Sequence, residues 1–322
     1  MKLCLFLPAK PDEKWVLARQ MGVRFAVAKL APELTGTLPP WDFESLAAHQ
    51  ARFREAGLEL VGLEGDPFDV QSIKLGLPGR DEAIDRYGQM LRNMGRLGIR
   101  LLCYNFMAAI GWYRTDTAIA DRGGALVSGF DARVAAKEPP TEFGEVTADR
   151  IWENYQYFIQ RVLPVAEAAG VVMGLHPDDP PVSPLRGIGR VFIRAEGVRR
   201  ALALSDSPSH RLTFCFGTYR TAGEDVATLL KEWKDRVAFV HLRDVRGTRE
   251  RFQESMPDEG VLGLPAMLRL CREAGVDGWV RPDHVPTLAG EANDHPGYGT
   301  KGLLYATGYI QGILDALEMP RE

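Results

Sequence analysis

Cysteine is scarce in this 322-residue chain: Cys4, Cys103, Cys215 and Cys271 are scattered, with no CxxC pair. Three lie within or at the end of apolar runs, which points to reduced thiols and excludes a disulfide frame. Runs of lysine and arginine are missing too, and the net charge of −4 argues against a nucleic-acid surface. No apolar stretch approaches membrane-span length. Met1–Pro8 is too short for a signal-peptide core and has no cleavage site. The expectations are a cytoplasmic protein with neither nucleic acid nor membrane as partner. Internal repeats and low-complexity tracts are absent as well.

What is present is an αβ rhythm. Apolar content of 45% and charged content of 25% are ordinary for a globular protein. Eight short apolar runs recur: Leu3–Leu7, Arg24–Ala28, Leu58–Leu63, Arg100–Phe106, Val171–His176, Arg211–Phe216, Val237–Leu242 and Gly278–Asp283. Near-continuous apolar strands alternating with helices indicate a parallel sheet buried on both faces. Eight units are the count for a closed (β/α)8 barrel, a TIM barrel, here a single domain over 1–322. Helical periodicity supports the intervening segments. Ile84, Tyr87, Leu91 and Met94 share one face before Gly98, and Ile151, Tyr155, Phe158 and Val162 do so before Gly170. Asp42 reads as the N-cap of a helix that ends at Gly57. Two places break the spacing. Residues 107–150 are too long for a normal βα connection, so an insertion that is either a lid or a surface excursion follows strand 4. Asp283–Lys301, rich in Gly, Pro and His, follows strand 8.

Chemistry in such a barrel gathers where strands end. Those ends carry Glu64, Asn105, His176, Cys215, His241 and the pair Asp283-His284. His176 sits in Gly174–Pro181, where an apolar strand runs into two acids and three prolines that hold the exit extended. His176, His241 and Asp283, with a thiolate from Cys215, form a plausible divalent-metal set. Donor chemistry alone favours zinc. Cys215, between Phe214 and Phe216, fits a buried apolar role equally well. Asp178, Arg243 and Arg281 lie nearby, and arginines there could grip a carboxylate or bridge barrel loops. Tyr298, glycine-flanked in Pro296–Thr300, could donate or accept a proton or simply pack its loop.

Together, GLHPDDPP (174–181), TFCFGT (213–218), FVHLRDV (239–245), RPDH (281–284) and PGY (296–298) resemble the D-mannonate dehydratases, a metal-dependent, xylose-isomerase-like barrel family. IKLG (73–76), Cys103–Met107, Trp112 and Arg114-Thr115 add to the likeness. The resemblance implies Mn²⁺ held by His176, Cys215, His241 and Asp283, with Fe²⁺, Co²⁺ or Zn²⁺ as other possible ions. It implies proton transfer by His284 and Tyr298, and substrate contact by Asn105, Asp178, Arg243 and Arg281. The implied reaction is dehydration of D-mannonate to 2-keto-3-deoxy-D-gluconate in hexuronate catabolism, with a small sugar acid as partner and a homo-oligomer as the assembly. The chain differs from the family's pattern at Phe6–Pro8, Lys29, Glu64-Gly65, Phe68-Asp69, Gly111 and near Pro257. The differences touch the substrate-facing first half, so isomerisation, epimerisation or elimination on another carbohydrate is the alternative reading.

Overall fold

The computed structural model describes residues 1–37 and 39–320; Leu38, Arg321 and Glu322 of the expected 1–322 domain lie outside the described residues. In chain order the strands are β1 (Lys2–Phe6), β2 (Phe25–Ala28), β3 (Glu59–Glu64), β4 (Leu101–Tyr104), β5 (Asp116–Ala120), β6 (Leu126–Asp131), β7 (Val172–Leu175), β8 (His210–Cys215), β9 (Val237–Leu242), β10 (Val245–Thr248), β11 (Arg251–Glu254) and β12 (Trp279–Pro282).

Eight of them close a parallel barrel in the ring order β1-β12-β9-β8-β7-β4-β3-β2. These eight coincide with the eight apolar runs. The alternation of strand side chains explains why the runs look continuous. Along β1, Leu3 and Leu5 pack outward into the main core, while Cys4 joins Val27, Val61, Leu101, Cys103 and Phe239 in a second cluster inside the barrel. Ring order puts β2 four strands from β8 in either direction, so these two strands face each other across the barrel.

Helices cover the outside. The helix Arg80–Leu97 buries Ile84, Tyr87, Leu91 and Met94, as the periodicity requires. It packs closely on the helix Ala148–Ala169, because a Cβ on Gly95 would collide with the Ala169 carbonyl oxygen. Asp42 precedes the helix Phe43–Glu55 but makes no side-chain cap there. No described helix is long and apolar enough to cross a membrane.

The 107–150 segment does not stand alone. Its strands β5 and β6 join β10 and β11 in a four-stranded antiparallel sheet, ordered β10-β11-β6-β5. The second half comes from an excursion after β9 that the hydropathy pattern did not reveal. The third long connection, after β12, touches the same sheet through the bridge Leu126↔Thr287. Arg122 ties the two excursions further, reaching Asp258 at 2.7 Å and Glu259 at 3.0 Å.

His49, on the helix Phe43–Glu55, is 1% exposed, and neither ring nitrogen has a partner. Burial, reinforced by Arg52, lowers its pKa to about 4. The unfolded chain takes up this proton near pH 6.5, so the neutral ring's contribution is complete above that pH and is lost as pH falls toward 4. Over that window His49 should cost on the order of 2–3 kcal/mol of stability. The slope of Tm against pH should flatten in His49→Phe; an unchanged slope would exclude His49 as its source.

Candidate active site

Each of the four candidate metal-donor side chains reaches the barrel mouth from a different strand end. His176 follows β7, Cys215 ends β8, His241 lies in β9 and Asp283 follows β12. Their donor atoms lie within 4.8 Å of one another. The strand β12 stops at Pro282, and His284 sits in a bend, so the adjacent Asp283 and His284 both line one cavity of about 250 Å³.

The donor set fits a divalent cation. Both nitrogens of His241 are buried without a hydrogen-bond partner, a costly arrangement unless something else takes a lone pair. His176 Nδ1 lies 2.7 Å from the Pro177 carbonyl oxygen, which must accept, so Nε2 is the nitrogen available to a cation. Burial opposes ionisation of Cys215, yet Arg243, His176 and His241 together hold its thiol well below the ordinary range. Burial also disfavours charge on His176, but Cys215 and Asp283 outweigh it and raise its pKa to about 9. The cluster therefore draws positive charge. A second grouping, Glu64 with Cys103 and His241, is also close. It fits poorly: burial and the nearby Glu64 push the Cys103 thiol well up, and the Glu64 carboxylate already takes Arg281 at 2.5 and 3.0 Å.

Below the cluster runs a buried ion network. Arg114 grips Asp179 through two bonds of 2.7 and 2.9 Å and donates to Glu254 at 2.7 Å. Arg243 joins the same two carboxylates at 2.9 and 2.8 Å and reaches Asp283 at 3.1 Å. With Arg281, three guanidiniums face Glu64, Asp179, Glu254, Asp283 and the Cys215 thiol. Negative charge is in excess, which a divalent cation would offset.

Of the four residues expected to touch substrate, two border the cavity and two do not. Asn105 lines it. Its Oδ1 accepts from Lys74 Nζ at 3.0 Å and from the Met107 amide at 3.1 Å, which leaves the Nδ2 donors for a ligand. Arg281 lines it too, but its guanidinium is committed to Glu64, Asp283 and the Pro282 carbonyl. Asp178 lies away from the cavity, accepting from the amides of Val191 and Phe192 at 3.0 and 2.8 Å, where it fixes the turn after β7. Arg243 likewise sits behind the wall, spent on the ion network and on Thr218 at 2.7 Å.

His284 and Tyr298 are neighbours, with ring centroids 5.5 Å apart, rather than groups facing each other across the cavity. Sequence reasoning missed the partner of His284. Glu254 Oε1, from β11, lies 2.7 Å from His284 Nδ1. Burial opposes charge on Glu254, but His284 and Arg114 lower its pKa to about 2. In the neutral ring the ionised carboxylate places the proton on Nδ1, so Nε2 is the nitrogen able to accept one. No local pattern marks Glu254 within Arg251–Glu254. Lys74 is a second omission, although its IKLG segment stood out.

The D-mannonate dehydratase family model matches residues 14–143 and 136–322 of this chain. A mannonate dehydratase from Streptococcus agalactiae is 34% identical over 86% of the chain and 87% of its own length. The crystal structure of mannonate dehydratase from Streptococcus suis serotype 2 superposes with a TM-score of 0.87 at 28% identity, covering 100% of this chain and 96% of that one. A xylose isomerase domain protein from Planctomyces limnophilus shares the fold at TM-score 0.63 and 14% identity, over 98% and 97% of the two chains.

Arg114→Met would strip Asp179 and Glu254 of a buried partner and should cost about 3–5 kcal/mol. The loss should appear as a lower urea midpoint at constant m-value. A loss below about 1 kcal/mol would show that the network does not hold the excursions to the barrel.

Proposed function

The chain belongs to the D-mannonate dehydratase family and is an enzyme of the hydro-lyase class; from that premise we propose that it removes water from D-mannonate or a closely related aldonate with the help of a divalent cation. The observation that carries this reading is the four-donor cluster, of which His176, His241 and Asp283 line the same cavity as a carboxylate-oriented His284 and Tyr298.

His176, Cys215, His241 and Asp283 would hold the cation, with Mn²⁺ the ion the family resemblance favours. When bound it would polarise the substrate carboxylate and favour loss of the neighbouring C2 proton. The chain's own groups then divide the proton work. His284, oriented by Glu254 through Nδ1, takes the C2 proton on Nε2. Tyr298 supplies a proton to the departing C3 hydroxyl, which leaves as water. Burial and the charge of Asp283 push the Tyr298 phenol well up, so it enters the reaction carrying its proton. The resulting C2–C3 enol tautomerises to the 2-keto-3-deoxy acid. Asn105 Nδ2 donates to a substrate oxygen, and buried Lys74, also bound to Asp66 at 2.8 Å, keeps the amide in that orientation.

Chelation should abolish activity and Mn²⁺ should restore it, with a 2-keto-3-deoxy acid accumulating from D-mannonate. No such product from any member of an aldonate panel would sink the reading. Turnover of neutral sugars alone would favour an isomerase or epimerase. His284→Gln and Tyr298→Phe should each lower kcat by roughly 10²–10⁴, with metal content unchanged by direct analysis. Loss of metal in either variant would instead assign that residue to the cation site.

A further inference from the structure

Lys29 stands apart from the other charged groups around the cavity. Glu64 is paired with Arg281, Asp66 with Lys74, Asp179 with Arg114 and Arg243, and Asp283 with Arg281 and Arg243. Lys29 lines the same cavity and is exposed, and it makes no hydrogen bond or ion pair with any described residue. Its stem is nonetheless placed. A Cβ built on Gly65 would lie 3.3 Å from Lys29 Cε, so the methylene chain runs along that glycine, whose φ of +91° suits glycine best. The apolar stem rests on the loop after β3 while the ammonium keeps contact with the opening.

Topology fixes where this charge stands. Lys29 directly follows β2, the strand across the barrel from β8, which carries Cys215. The cation donors occupy the adjoining strands β7, β8, β9 and β12, on one half of the mouth. A substrate whose carboxylate lies at that buried half therefore extends its other end toward β2. A neutral terminal hydroxyl there would leave the ammonium without a counter-charge, whereas an anionic terminus would complete the pairing found everywhere else in the cavity.

We propose that Lys29 binds a second anionic group, a carboxylate or a phosphate, at the end of the sugar acid remote from the cation donors. The preferred substrate is then a dianionic sugar acid, and Lys29 is its specificity-determining residue. This rests on the sugar-acid reading above for the identity of the near end.

Calorimetric titration of the purified Mn²⁺-loaded protein tests it without requiring turnover. The probes are D-gluconate, D-glucarate and 6-phospho-D-gluconate, with D-mannonate and D-mannarate as a second matched series. The wild-type protein should bind a dianionic member at least about tenfold more tightly than its aldonate. Lys29→Met should collapse that ratio toward one, and Lys29→Arg should keep most of it. Whether the glucarate or the phosphogluconate ratio is the larger identifies the terminus as carboxylate or phosphate. A ratio near one in the wild type, or a ratio that survives Lys29→Met, overturns the proposal. If the ratio behaves as stated but no compound is dehydrated, the dehydration reading fails and Lys29 keeps its role. Dehydration without the ratio removes that role from Lys29 and leaves the dehydration reading standing. Failure of all five probes to bind overturns both.

Discussion

The pairing of Arg114 and Arg243 with Asp179 and Glu254 is the interaction on which the catalytic end of the barrel depends. Each carboxylate comes from a different part of the chain: Asp179 from the turn after β7, Glu254 from the excursion after β9. Arg114 enters from the excursion after β4. A group of charges so fully removed from water is tolerable only with every partner in place. The same bonds therefore decide several things at once. They seat the four-stranded sheet on the barrel, set the side chain that orients His284, and place Arg243 beside Cys215, where it favours the thiolate.

Charge also separates two cysteines that look alike in sequence. Cys103 and Cys215 are both buried at strand ends near His241. Cys215 faces a guanidinium and two imidazoles and is held low, whereas Cys103 faces Glu64 and is pushed high. Cys215 is therefore the better suited of the two to act as a thiolate. Neighbouring charge, rather than burial, makes the distinction, because burial acts on both in the same direction.

The barrel is legible in the sequence because its signal is local. Eight runs of apolar residues need no partner to be recognised, and strand ends follow from them, so His176, Cys215, His241 and Asp283 can be gathered from the sequence alone. The excursion sheet is not legible. β10 and β11 read VRGT and RFQE, four residues each, and β11 carries a single apolar side chain, so neither makes a hydropathy run. β11 exists through pairing with β6, a contact between segments more than a hundred residues apart, and β10 through pairing with β11. Glu254 is hidden for the same reason. Arg243 and Arg281 are ambiguous for a different reason: an arginine near a site is equally consistent with gripping a substrate and with satisfying a buried acid. Composition cannot show that Glu64 and Asp179 have already claimed them.

The shared sheet has a consequence for how such a barrel can diversify. Loops at the mouth of a (β/α)8 barrel are usually regarded as independent modules, each free to be lengthened, shortened or replaced. Here the excursion after β4 supplies Arg114 and two strands, while the one after β9 supplies Glu254 and the other two. Replacing either alone would strand a buried charge and expose a sheet edge. The two are heritable as one unit, so new specificity is more readily acquired on the opposite rim, where β2 and β3 end in loops outside that sheet.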